Sequence, residues 1–422
     1  MSQKPARRLT ARQLFVDITP LRQSVPFRWL FGGLSLSWMG RQLTVVAVPY
    51  QVYQLTGSTF LVGALGLAQL VPLLATSVVG GALVDSVDRR RLIVLAQLAS
   101  LVTAAGLAIN AALDEPIVWL IFALSAINAG VSAVDSPARS AALPTLVGRQ
   151  LVPASLAITQ TVANVAKTLG PAVGGLLIAQ TSLTVTYSLE AVAFLISALL
   201  MIRVGELKPE GGGQRFGWDS IKEGFRFLKE RRILQANFVI DINAMVFGMP
   251  QALFPVIGTE VLGGDASTVG LLYAAPGAGA LLGAMTSGWV GAVRRHGRAV
   301  VVAVIVWGAA IAAFGLVTSL WLALGLLALA GAADVVSAVF RTTILQLAVP
   351  DRLRGRLSSI QIAVVAGGPR LGDFEAGAVA SVTSPQFSVV SGGLACILGA
   401  LFIARKVPEY DAYQALEENG AG

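Results

Sequence analysis

Twelve stretches of this chain are apolar enough and long enough to cross a lipid bilayer, and that pattern leaves few architectures open. A helix that spans the hydrocarbon core needs roughly 20 predominantly apolar residues. The first six runs are Trp29 to Leu55, Leu61 to Val84, Leu92 to Ala112, Ile117 to Leu146, Ala154 to Gln180 and Thr184 to Ile202. The second six are Ile233 to Ile257, Val269 to Val290, Ala299 to Thr318, Leu320 to Val349, Leu357 to Val382 and Phe387 to Ala404. An even number of crossings puts both termini on one side. The expectation is an all-α membrane protein of 12 transmembrane helices.

The charged residues fit the same topology. Only 13% of the chain is charged against 55% hydrophobic, and the mean hydropathy is +0.73, well outside the range of a soluble domain. Of the 31 Lys and Arg, all but Arg41, Arg139, Lys167, Arg341 and Arg370 fall in tails and loops of one side. The opposite loops carry Asp114, Glu115, Glu260 and Asp265 instead. Positive charge marks the cytoplasmic side of a membrane protein, so both termini are expected there, in a cell (inner, cytoplasmic) membrane. The net charge of +8 is thereby a topology signal and not a stripe for nucleic acid. One cysteine, Cys396, leaves neither a disulfide within the chain nor a cysteine metal site. His296, among Arg294, Arg295 and Arg298, reads as a solvated loop residue. The first 28 residues lack the apolar core of a secretory signal and read as a tail.

The expected organisation is a tail over 1–28, a six-helix half over 29–202, a linker over 203–232, a second half over 233–404 and a tail over 405–422. In the linker Trp218, Ile221, Phe225 and Leu228 recur at helical spacing among basic residues, as in a helix lying on the membrane surface. The halves are repeats. At a shift of 202 residues, Arg139 falls on Arg341, Leu143 on Leu345, Val147 on Val349, Leu151 on Leu353, Leu169 on Leu371, Gly170 on Gly372 and Gly175 on Gly377. Parallel repeats about an axis along the membrane normal are how one class of transporter rocks between states open to either side.

Between the second and third runs, Gly80-Gly81-Ala82-Leu83-Val84-Asp85-Ser86-Val87-Asp88-Arg89-Arg90-Arg91 forms a short charged hinge. Its pattern resembles the loop between the second and third helices of the major facilitator superfamily, with Ser86 where that signature has Arg and Asp88 where it has Gly. An acid at Asp88 is similar to the branch that contains the enterobactin exporter and related drug efflux pumps. Asp135-Ser136-Pro137-Ala138-Arg139 and Val349-Pro350-Asp351-Arg352-Leu353-Arg354-Gly355-Arg356 resemble segments of the same branch. Gly170-Pro171-Ala172-Val173-Gly174-Gly175 in the fifth run is similar to the antiporter signature of the superfamily, which implies exchange of a solute for a proton. The resemblance implies two six-helix pseudo-symmetric halves.

Gly81, Asp85, Arg89, Asp135, Arg139 and Arg341, with Gly170, Pro171, Gly174 and Gly175, are expected to gate. Asp135 lies where the loop arginines can reach it, and Asp85 is placed to cap the eleventh run after Arg356. Ionisable groups near mid-membrane cost several kcal/mol unless they pair or face a watery cavity. Arg41, Lys167 and Arg370 lie roughly 18 to 20 Å deep at about 1.5 Å per residue and are candidates to line a solute cavity. Asp241, Asp334, Asp373 and Glu375 are candidate proton carriers, because a buried carboxyl can exchange its proton near neutral pH. Glu190, nearer the outer surface, is expected to snorkel. Trp38, Tyr50, Phe247 and Tyr273 are candidates to stack on a planar ligand.

No phosphate-binding loop, metal-ligand spacing or nucleophile constellation is present, so neither an ATP-driven pump nor an enzyme is expected, and no cofactor or metal. The expectation is a secondary active exporter that moves a medium-sized organic solute, a siderophore or drug-like amphiphile, in exchange for protons. Its partners would be that solute, protons and membrane lipid, with no nucleic acid, and it would act as a monomer. A lipid or lysolipid flippase without proton coupling, or a non-transporting membrane sensor, remain alternatives.

Overall fold

A computed structural model describes residues 17–208 and 226–414, with the side chains of 78–82, 85, 351, 352 and 359 excepted. Twelve long helices make up the described chain. They are α1 (Val25–Thr56), α2 (Thr59–Ser86), α3 (Arg89–Ala111), α4 (Val118–Val147), α5 (Val152–Gln180) and α6 (Leu183–Ile202), followed by α7 (Arg232–Phe247), α8 (Ala266–Met285), α9 (His296–Phe314), α10 (Leu320–Ala348), α11 (Asp351–Val382) and α12 (Pro385–Lys406). Ten helical stretches qualify as membrane spans by length and apolar composition. The remaining two, α1 and α11, are the longest at 32 residues each and carry the deep Arg41 and Arg370. A helix satisfies its own backbone polar groups, which is what hydrocarbon demands.

The sequence also sets where helices begin. The side chains of Ser24, Ser58, Ser182 and Ser384 accept hydrogen bonds from backbone N–H groups in the first turns of α1, α2, α6 and α12. Asp88 does the same for α3, accepting from Arg90 N at 2.8 Å, and Asp265 for α8, accepting from Ser267 N at 2.9 Å. Gly57 closes α1 with a φ of 59°, the left-handed conformation that glycine adopts without steric penalty.

The helices form two six-helix, pseudo-symmetric halves. In the first, α1 packs on α5 and α6, α2 on α4, and α3 on α4 and α6; in the second, α9 packs on α10 and α12, and α8 on α10. The halves meet at two extensive crossings, α2 against α11 and α5 against α8. These crossings are equivalent. A Cβ built on Gly377 of α11 would stand 2.5 Å from Thr59 O and 2.9 Å from the Gly63 Cα of α2, and one on Gly175 of α5 would stand 2.7 Å from the Gly270 Cα of α8. Backbones approach this closely only where small residues face each other. All these contacts lie on the acidic-loop side of their helices.

The seventh run is not one helix. After α7 the chain breaks at Gly248, Met249 and Pro250, then passes through a 3₁₀ turn (Gln251–Leu253), a short α turn (Phe254–Val256) and a π turn (Ile257–Val261). Proline supplies no N–H and interrupts the ladder, and neighbouring helices satisfy the released groups. Trp307 Nε1 donates to Gly248 O at 2.8 Å, and Ala252 N donates to an Asp373 carboxylate oxygen at 2.9 Å. The eighth run likewise ends early, at Met285, and gives way to a 3₁₀ stretch over Ser287–Ala292.

Beyond α12, the short helix α13 (Pro408–Asp411) folds back under the second half. Tyr410 is 0% exposed, and its hydroxyl donates to Asn237 Oδ1 of α7 at 3.0 Å. Arg298 faces Asp411 at 3.9 Å, and Arg295 bridges to Gln414. This packing corrects the reading of His296 as solvated: at the start of α9 its ring lies 5.4 Å from that of Phe340 and is buried. The expected surface helix from Trp218 and the outermost tail residues lie outside the described part of the chain.

Candidate functional site

Two buried charge clusters occupy corresponding places in the halves. In the first, Asp135 and Arg139 stand one turn apart on α4, with Arg139 Nε 2.9 Å from both Asp135 carboxylate oxygens. Arg41 of α1 approaches the same carboxylate at 3.9 Å and donates to the Ser132 hydroxyl. Arg139 is only 4% exposed. In the second half Arg341, the repeat partner of Arg139, is 2% exposed and pairs with Asp241 of α7 at 2.6 Å and with Asp334 of α10 at 3.6 Å. Asn237 of α7 donates to the Arg341 carbonyl at 3.3 Å, which links this cluster to Tyr410. The first cluster thus holds two cations and one acid, the second one cation and two acids.

The first cluster opens onto a cavity of about 200 Å³. Trp38, Arg41 and Ser132 line it at mid-depth, and Phe27, Leu143 and Gln160 line it toward the basic-loop ends of α1, α4 and α5. Arg41 Nε and Arg139 Nη2 are buried donors with no partner among the described residues. A buried donor without an acceptor is costly, so a ligand acceptor that reaches them gains the bond at little desolvation expense.

The three deep cations expected to line one cavity are separated. Arg41 is in the cavity wall; Lys167 of α5 is exposed and interacts electrostatically with Asp334 of the other half; Arg370 donates to the Ala366 carbonyl of its own helix at 2.6 Å and lies by Asp373. Asp373 and Glu375 sit on α11, where Asp373 holds the broken segment after α7 through Ala252. Among the aromatic candidates, Trp38 alone lines this cavity. Tyr50 and Phe247 pack against the main apolar core, and Tyr273 is pinned by its hydroxyl to Gln251 O at 2.9 Å and by its ring against Phe254.

Gly170 and Gly174 of α5 face Gln42 and Leu43 of α1, while Gly175 and Pro171 face Gly270 of α8. The glycine and proline seam therefore serves both an intra-half and an inter-half contact. At the hinge after α2, Arg89 Nη1 donates to Ala141 O at 3.0 Å and Arg90 Nη2 to Ile202 O at 2.6 Å, while Asp88 also accepts from Leu207 N at 3.2 Å. Arg90 thus caps the end of α6, and Arg89 binds a carbonyl six residues before the end of α4. Asp135 pairs with Arg139 and Arg41 instead of with them. The side chains of Gly81 and Asp85 lie outside the described residues.

Two features escaped the sequence reading. Tyr53 near the end of α1 donates to Glu260 in the π turn, a hydrogen bond between halves on the acidic-loop side. Glu190 of α6 is 0% exposed and accepts from Thr44 Oγ1 of α1, so it does not snorkel. A carboxyl about 10 Å from one helix end, at about 1.5 Å per residue, reads as surface-seeking unless the neighbouring helix is known.

The overall fold matches solved transporters of low sequence identity. The nucleoside transporter NupG aligns with a TM-score of 0.76 at 11% identity, covering 90% of this chain and 99% of that one. An inward-facing bacterial homologue of the human lysosomal transporter Spinster aligns with a TM-score of 0.69 at 14% identity, covering 91% and 95%. Together with the twelve helices, this is the fold of a multi-pass membrane protein. Over 393 residues the chain is 29% identical to the enterobactin exporter EntS of Shigella boydii serotype 4, spanning 92% of this chain and 93% of the relative. The same figures hold for EntS of Escherichia coli O157:H7. Residues 16–420 match the transmembrane secretion effector family. The chain belongs to that family, within the major facilitator superfamily, and is enterobactin exporter-like.

Proposed function

We propose that this protein exports a medium-sized organic solute by alternating access, taking it from the cytoplasm at the basic-loop face and exchanging it for protons. The observation that carries the reading is the asymmetry of the inter-half contacts. Glycine crossings at Gly63 and Gly377, and at Gly175 and Gly270, with the Tyr53–Glu260 hydrogen bond, close the acidic-loop side, while the Arg41 cavity extends toward the other face. A rocking transporter closed at one end presents its site at the opposite end.

The two clusters then have different tasks. Unpartnered Arg41 and Arg139 donors beside Trp38 suit an anionic, planar group of the solute. About 200 Å³ accommodates only part of a drug-sized molecule, so the rest of the solute extends into the gap between halves. Asp241 and Asp334 share one arginine, and Asp373 holds the irregular segment after α7, so these acids are the proton carriers. Asp241→Asn and Asp373→Asn proteins in liposomes are expected to lose transport driven by a pH gradient; full retention in both contradicts proton exchange. Competition between anionic and cationic amphiphiles tests the solute class, with anions expected to compete and a preference for cations opposing it.

A further inference from the structure

Glu190 is a buried acid with no role in the transport cycle outlined above. It lies about 10 Å from the acidic-loop end of α6 and about 18 Å from the other end, at about 1.5 Å per residue. One carboxyl oxygen meets the Thr44 hydroxyl, and Oε1 is buried with no partner among the described residues. Gly40 of α1 packs against the Glu190 backbone, its Cβ position 3.5 Å from the Glu190 Cα. The next residue on α1 is Arg41, whose guanidinium carbon lies 5.9 Å from the ring centre of Phe194, one turn along α6 from Glu190. Arg41 and Glu190 are close enough for their charges to interact.

The ionisable surroundings are few. Arg41 is the only charged residue of α1 between Trp29 and Thr56. The helix packed along the other side of α6, α3, carries no ionisable side chain from Leu92 to Ala111. On α5 only Lys167 is charged, and it faces Asp334 of the other half. On α6 itself Tyr187, one turn away, is committed to Gln51 through a hydrogen bond of 2.8 Å. Arg41 is therefore the one cation that answers to Glu190, and it also forms the wall of the solute cavity and faces Asp135.

We propose that Glu190 is a proton-binding site that sets the charge of the first-half cavity and so its affinity for anionic groups. The step is the addition of one proton from water to the carboxylate and its return to water, with no other reactant. With Glu190 ionised, two arginines face two carboxylates, and the cluster is neutral. With Glu190 protonated the same cluster carries one net positive charge, and Arg41 is left to Asp135 and to whatever anion occupies the cavity. By reciprocal linkage, a proton on Glu190 and an anion at Arg41 favour each other. This sign separates Glu190 from an exchanged proton, which a solute must displace: Glu190 acts as a charge switch on the binding site, and exchange stays with the second-half acids. The proposal rests on the reading of Arg41 and its cavity as the solute site.

The test uses the full chain with naphthalene-1-sulfonate, whose own charge does not change with pH, and the isosteric Glu190→Gln. Infrared difference spectra of the reconstituted protein, titrated from about pH 9 to about pH 5, are expected to show a protonated-carboxyl C=O band that is absent in E190Q and present in Asp241→Asn and Asp373→Asn. Sulfonate affinity in the wild type is expected to rise at least about fivefold as pH falls over that range, and this rise is expected to be lost in E190Q. A band unchanged in E190Q, a wild-type pH dependence retained in E190Q, or no sulfonate binding at any pH overturns the proposal. Failure of the underlying cavity reading shows differently, as sulfonate binding unaltered by Arg41→Gln.

Discussion

At the scale of single residues, the charges that matter are those a membrane chain keeps despite their cost. Arg341, 2% exposed and held by Asp241 and Asp334, is one such commitment. Removing one member of a buried pair leaves the other uncompensated, which costs about 3–5 kcal/mol. Arg341→Ala is therefore expected to lower the thermal unfolding midpoint of the detergent-solubilised protein markedly. Arg90→Ala, which removes an exposed contact to Ile202 O, is expected to leave it nearly unchanged. Equal midpoints for the two variants would show that Arg341 is solvated. The identity of these residues was legible in the sequence, because so few charges fall inside apolar runs. Their partners were not legible: Asp135 was expected to meet the loop arginines but pairs with Arg139 one turn along α4, and Arg41 with Asp135, and Glu190 with Thr44, depend on how α1 packs against α4 and α6.

At the scale of helices, the presence of twelve follows from apolar length, and six of them start at a serine or aspartate cap. The seventh run did not reveal its break, since Pro250 and Pro255 sit in an uninterrupted apolar stretch and only the partners Trp307 and Asp373 make the break tolerable. The glycine crossings were half legible: repeat-matched Gly175 and Gly377 stood out, but Gly63 and Gly270 opposite them did not. Gly377→Ala places a methyl group 2.5 Å from Thr59 O and is expected to open the acidic-loop side, lowering transport at least about tenfold while the protein remains folded. Labelling of a cysteine placed at Thr59 reads the opening directly, and unchanged labelling with normal transport counts against the crossing as a gate. The C-terminal clasp is a second element-scale prediction. Tyr410→Ala empties a fully buried aromatic site and is expected to destabilise the second half by about 3–5 kcal/mol, whereas Tyr410→Phe, which loses only the bond to Asn237, costs about 1 kcal/mol. Thermal unfolding of both variants checks the ratio.

At the scale of the whole molecule, the two halves of one fold arrange their buried charges differently. An Arg-rich cluster lines a cavity in the first half, and an acid-rich cluster ties α7 to α10 in the second. In the proposed cycle, a solute anion and a proton are handled on different halves and a single rocking motion serves both. The most direct measurement is uptake of siderophore and dye candidates into inside-out vesicles containing the protein, with and without an imposed proton gradient. Proton exchange predicts uptake that requires protein and gradient together, and that is abolished when Asp241→Asn and Asp373→Asn are combined. Uptake of equal rate with the gradient collapsed would contradict it and point to facilitated movement without proton exchange.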